Sequence, residues 1–88
     1  MVAKKVWTLT IRIKKNDELH GKRLYKALLD FMMGAGMSGA TVVNAVEINY
    51  PLIIKVVDEQ SKLELLIPQI RRMVDDNGIV TLHEVNLL

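Results

Sequence analysis

The chain of 88 residues predicts an α+β fold in the order strand, helix, strand, strand, helix, strand. Three observations carry this. Trp7, Leu9, Ile11 and Ile13 alternate with Thr8, Thr10, Arg12 and Lys14, the period of a half-buried strand. Leu24, Leu28, Phe31, Met32 and Ala35 recur at the spacing of one helix face. Gly34, Gly36 and Gly39 interrupt that helix, and the β-branched Thr41, Val42 and Val43 follow at once, so the chain leaves a glycine turn as a strand.

Taken in order, the first strand spans Lys5 to Lys14, and Asn16 and Asp17 are turn or helix-capping residues leading into the first helix. The second strand runs from about Thr41 to Ile48 and the third from about Leu52 to Val57. Only Asn49, Tyr50 and Pro51 are left to turn between them, so a tight antiparallel hairpin is expected. Ser61 and Glu64 have the spacing of a capping box, with Asp58 as an alternative cap, so a second helix starts near Glu59 and shows Leu63, Leu66, Ile67, Ile70 and Met73 on its apolar face. Pro68 falls inside that pattern. Its missing N–H and its clash with the preceding turn cost about 3 kcal/mol, which predicts a kink or a break. Gly78 is expected to end the helix, and Ile79 to Leu87 to form the last strand. The whole, residues 1–88, reads as a single domain, a ferredoxin-like βαββαβ sandwich with an antiparallel sheet and two helices on one face.

A chain of this size buries only roughly 60 to 65 % of its unfolded surface, so small domains lean on disulfides, metals or partner subunits. With no cysteine, disulfides and thiolate metal sites are both excluded, and association remains. The second strand (Val42, Val43, Val46, Ile48) and the third (Leu52, Ile53, Ile54, Val56, Val57) carry apolar groups on both faces, so the sheet face not covered by helices is expected to be buried by other subunits. The formal charge is +2 and the basic residues come as dispersed pairs, too weak a field for nucleic acid. MVAKKVWTLTIRIKK lacks the apolar run of a signal peptide and no segment reads as a membrane span, so a soluble cytoplasmic protein is expected.

HGKRLYKALLDFM, from His20 to Met32, followed by GMSGATVV, from Gly36 to Val43, resembles the small PII-like proteins of domain-of-unknown-function family 190, whose pattern is close to HGKPLYEAI and then GIAGATV. DNGIVTLHEVNLL, from Asp76 to Leu88, is similar to that family's closing strand, and the run from Pro51 to Val74 to its third strand and second helix. The resemblance implies a homotrimer with its sheets facing inward and a binding or signalling role. It also implies a nucleotide pocket between subunits, to which Gly39, Thr41 and Val43 contribute contacts. Some family members are reported beside or fused to fluoride-export channels, which implies a membrane transporter as partner. Two departures stand out. The G-F-G element and long effector loop of PII proteins have no counterpart between Ile48 and Asn49, where the chain reads VNAVEINYPLII, and DDNGIVTL replaces the glycine and lysine phosphate cradle.

Catalysis needs a nucleophile, a base and an orienting group, or a metal with three or four ligands. Two histidines are present. His83 and Glu84 point to opposite faces of the last strand, and neither Glu18 with His20 nor His83 with Glu47 has a two-histidine metal spacing. No enzyme, metal or cofactor is expected. The segment His20 to Arg23 lies at or just before the first turn of a helix, where free N–H groups and the dipole favour an anion, and Lys22 and Arg23 add charge. The expected function is thus a PII-like regulatory homotrimer that binds a small anionic metabolite or nucleotide at subunit clefts. Three alternatives compete. An RNA-binding domain of this topology needs aromatics on its central strands, and only Trp7, Tyr25, Phe31 and Tyr50 are available, with no RNP-type run. An acylphosphatase-like enzyme needs an arginine-bearing anion loop after the first strand, but in KKNDELHGKR the arginine follows the glycine. A purely structural oligomer is the third.

Overall fold

The computed structural model describes residues 5–37, 39–44 and 50–86. The alternating KVWTLTIRI segment forms strand β1, Lys5–Ile13, with Leu9, Ile11 and Ile13 fully buried. The chain then turns at Asn16 and Asp17, where the Asp17 carboxylate accepts the Lys14 N–H at 3.0 Å. A miniature hairpin follows, β2 (Glu18–Leu19) against β3 (Lys22–Arg23). His20 and Gly21 are its two-residue loop, with φ of 51° and 80°. Two successive positive φ values are the mark of a type I′ turn, whose twist matches that of the strands it joins.

Helix α1 is Leu24–Gly34 and opens directly from the hairpin, so Asn16 and Asp17 do not cap it with their side chains. The Asp17 carbonyl instead accepts the Leu24 N–H at 2.8 Å. Leu24, Leu28 and Met32 form the buried stripe. Ala35, expected on that stripe, is exposed because the helix has already ended. The ending is a complete Schellman motif: the Gly36 N–H donates to the Met33 carbonyl at 3.1 Å and the Met37 N–H to the Met32 carbonyl at 3.1 Å, with Gly36 at φ 90°. Met37 thereby returns to the same core cluster as Met32.

Strands β4 (Thr41–Asn44) and β5 (Leu52–Asp58) are antiparallel neighbours. Their register differs from the expected one. A turn confined to Asn49, Tyr50 and Pro51 would set Ile48 opposite Leu52, whereas Asn44 occupies that position. The slip is an even number of residues, so every side chain keeps its face. Val46, Glu47, Ile48 and Asn49 lie outside the described residues, as does the expected site of the missing effector loop.

Helix α2, Gln60–Val74, starts where expected but without the capping box. Asp58 accepts the Glu59 N–H at 2.7 Å, Ser61 is already inside the helix, and Glu64 takes a hydrogen bond from Gln60 at 2.9 Å instead. The helix runs through Pro68 without a break. Pro68 is exposed while Leu66 and Ile70 on either side of it are buried, so packing on the inner face offsets one lost hydrogen bond on the outer one. Nor does Gly78 end this helix. It stops at Val74, Asp75 reverses the chain at φ 50°, a 3₁₀ turn covers Asp75–Asn77, and Gly78 is the first residue of strand β6, Gly78–Asn86. Glycine is required there by close approach: a Cβ would run into the Arg12 carbonyl oxygen and lie 2.8 Å from Ile13 Cγ2 and 3.0 Å from Val74 Cγ1.

The four long strands form one antiparallel sheet in the order β4-β5-β1-β6. Leu9, Ile11, Ile54 and Val56 from one side of it enter a single core with Leu24, Leu28, Leu63 and Ile70 from the two helices. This is the ferredoxin-like α+β sandwich, with the short hairpin inserted before α1.

Candidate functional site

Strand register sorts the residues of the uncovered sheet face into rows. Val43, Ile53, Arg12 and Ile79 stand opposite one another in one row, and Thr41, Lys55, Thr10 and Thr81 in the next. Val57, Thr8 and His83 follow, then Val6 with Val85. The face is partly apolar, as expected, with Val57 54 %, Ile79 43 % and Val43 42 % exposed. It is also less uniform than composition suggests, because a threonine and lysine row crosses all four strands. Sequence reasoning missed that row, since which residues face each other depends on register. His83 is on this face and Glu84 on the other, as parity requires.

The two sets of expected ligand-binding residues lie at different places. His20 is at the exposed tip of the hairpin, and Lys22 and Arg23 form its second strand beside the start of α1. Each cation has a partner: the Lys22 ammonium pairs with the Asp30 carboxylate, and the Arg23 guanidinium donates to the Asn16 carbonyl at 3.3 Å and to its Oδ1 at 3.4 Å. Their charges flank the helix end, and an anion there competes with Asp30 for Lys22. Gly39 follows the other end of α1, an 11-residue helix roughly 16 Å long. Thr41 and Val43 are exposed on β4, at the edge of the sheet and on its open face. Within one chain, then, Gly39 and the hairpin cations do not share a site.

Concavities among the described residues lie beside both helices. A cleft of about 590 Å³ lies between α2 and β6, over Ile67, Val80 and Leu82, with Arg71 and Asp75 lining it. A smaller one of about 380 Å³ lies beside the Schellman turn, between Gly36, Met37, Lys62 and Leu65. Among the described residues no group of three His, Asp or Glu side chains is placed to hold a metal ion, and Glu47, one of the residues weighed for that role, is outside them. Among the described residues no helix is long and apolar enough to cross a membrane.

The family model of DUF190, described as Uncharacterized ACR, matches residues 6–48 and 45–87. A UPF0166 protein of Methanocaldococcus jannaschii is 22 % identical over 95 residues, covering 90 % of this chain and 88 % of its own. One from Aquifex aeolicus is 28 % identical over 97 residues, covering 91 % and 90 %. Both alignments are longer than the 88-residue chain, so each relative carries residues with no counterpart here. Among solved structures, CPII, a nitrogen regulatory PII-like protein from Thiomonas intermedia K12 bound to ADP, AMP and bicarbonate, superposes with a TM-score of 0.77 at 16 % identity, covering 99 % of this chain and 94 % of that one. The apo form of CPII gives 0.75 at 16 % identity, covering 98 % and 95 %. At such identities the likeness is one of fold.

Proposed function

Because this chain belongs to domain-of-unknown-function family 190, we propose that it is a PII-like regulatory protein that forms a homotrimer through its open sheet face and binds a small anionic metabolite or nucleotide at the clefts between copies. The observation that carries the reading is the likeness of fold, over nearly the whole chain, to a PII-like protein bound to ADP, AMP and bicarbonate. The apolar side chains left exposed on the open face support association. Gly39, Thr41 and Val43 are the proposed contacts at the sheet edge, and His20, Lys22 and Arg23 the proposed anion contacts at the hairpin. Two copies side by side are what would bring such separated groups to one ligand. The protein acts by binding rather than by catalysis, in the cytoplasm, with a membrane transporter as the partner class.

An RNA-binding role is disfavoured by the position of Trp7. It lies opposite Asp58 and Glu84 on the helix-covered side of the sheet, and no Phe, Tyr or Trp stands on the open face of the described strands, where bases would stack, which leaves His83 there without a neighbouring ring. The decisive test is a thermal-shift screen of the purified chain against ATP, ADP, AMP, bicarbonate and phosphate, with light scattering for mass. A ligand at 100 times its Kd adds about 2.7 kcal/mol of stability. A monomer unmoved by all five would refute the reading.

A further inference from the structure

The cleft between α2 and β6 has no part in the reading above, and it lies within one chain. Its volume, about 590 Å³, is inside the usual range for a small-molecule pocket. Ile67 from α2 and Val80 and Leu82 from β6 form its apolar side. All three are half-buried against the core, so each still has surface that a ligand could cover. β6 stands last in the strand order, and an edge strand presents backbone N–H and C=O groups that no neighbouring strand takes.

The charged residues stand at one end of this cleft. Arg71 and Arg72 belong to the last turn of α2, and Asp75 and Asp76 to the 3₁₀ turn after it. Arg71 and Asp75 are four residues apart, the spacing at which a helix pairs opposite charges. That pair is not made, because Asp75 has already left the helix at φ 50° and ψ −129°. Among the described residues Arg71, Asp75 and Asp76 have no side-chain partner, whereas Arg72 donates to Gln69 Oε1 at 3.4 Å.

These charges choose between ligands. An anion drawn to Arg71 and Arg72 meets the carboxylates of Asp75 and Asp76, and a cation drawn to the carboxylates meets the arginines. A zwitterion satisfies both signs at once. Ile67 precedes Arg71 by one helical turn, about 6 Å along the axis, which sets the apolar side close behind the charged end. We propose that this cleft binds a free α-amino acid with an apolar side chain. Its carboxylate rests on the Arg71 guanidinium, its ammonium on the Asp75 or Asp76 carboxylate, and its side chain over Ile67, Val80 and Leu82. The site is complete in one chain, so it stands or falls independently of association through the sheet face.

The experiment is calorimetry of the full chain with L-leucine, beside glycine, N-acetyl-leucine and leucinamide, which lack in turn the apolar side chain, the ammonium and the carboxylate. Leucine is expected to bind, and each analogue at least about tenfold more weakly, the worth of one charge-assisted hydrogen bond or one buried leucine side chain. Arg71→Gln is expected to weaken leucine about tenfold and to leave leucinamide unchanged, since leucinamide has no carboxylate to lose. Asp75→Asn combined with Asp76→Asn is expected to weaken leucine and to leave N-acetyl-leucine unchanged. All three positions are exposed and asparagine tolerates a positive φ, so circular dichroism should report an unchanged fold in both variants. No leucine binding up to about 10 mM overturns the proposal. So does leucine binding that Arg71→Gln leaves intact, and so does glycine binding as tightly as leucine.

Discussion

Gly78→Ala is the substitution for which the structure makes the sharpest forecast. Gly78 has an extended backbone, φ −164°, that alanine adopts freely, so no cost comes from conformation. The cost is space. The new methyl group would meet the Arg12 carbonyl oxygen, Ile13 Cγ2 at 2.8 Å and Val74 Cγ1 at 3.0 Å. Inserting a methyl group into a packed site costs about 1 to 3 kcal/mol, and a backbone oxygen held in the sheet cannot rotate aside as a side chain can, which puts this case near 3 kcal/mol. Replacing glycine also restricts the unfolded chain, which returns about 0.4 to 1 kcal/mol. The net expectation is a loss of about 2 kcal/mol. At roughly 4 to 8 °C per kcal/mol for a domain of this size, Tm falls by about 8 to 16 °C. Urea unfolding at a fixed protein concentration is the assay, because association would make the midpoint concentration-dependent. Gly34→Ala is the internal control. Gly34 has no neighbour within 4 Å of a Cβ and sits in α1, so the same chemical change should there stabilise by about 0.5 to 1 kcal/mol. If Gly78→Ala stays within about 0.5 kcal/mol of wild type, the close approach of β6 to the end of β1 is not the constraint described.

Other outcomes follow from the same geometry. Val56→Glu buries a carboxylate in the core, where the native side chain is 1 % exposed, and is expected to unfold the chain, whereas Val57→Glu on the open face should leave circular dichroism intact and abolish assembly in light scattering. Calorimetry with ATP, ADP and AMP is expected to give dissociation constants weaker than about 1 μM, because DDNGIVTL stands where the resemblance to PII proteins implies a glycine and lysine phosphate cradle. Binding tighter than that would show that Gly39, Thr41 and Val43 suffice. Replacing Lys22 and Arg23 together by Gln should change stability by no more than about 1 kcal/mol, since their partners are exposed, but should weaken any anion held at the hairpin and remove part of its salt dependence. Gly36→Ala, at φ 90°, should cost about 1 kcal/mol by straining the Schellman turn.

What the sequence determined by itself was the part set by local physics. Side-chain period alone separates Leu9, Ile11 and Ile13 from Thr8 and Thr10, places Leu24, Leu28 and Met32 on one helical stripe, and puts a strand straight after the glycine turn. The resemblance of HGKRLYKALL and GMSGATVV to one family was legible for the same reason, since both are short runs whose spacing survives in one dimension. Tertiary structure decided the rest. Gly78 looked like a helix terminator because glycine often is one, yet its reason for being glycine is an oxygen atom of residue 12, far away in the chain. Pro68 looked like a break because local cost argues for one, and the packing of Leu66 and Ile70 overrode it. Asn44 rather than Ile48 faces Leu52, and the slip, invisible to alternation because it is even, lines up Thr41 with Lys55, Thr10 and Thr81. A period tells which way a side chain points, but only pairing between distant segments tells what it meets. The candidate site is built from such meetings, so the strands could be read from the sequence and the site could not.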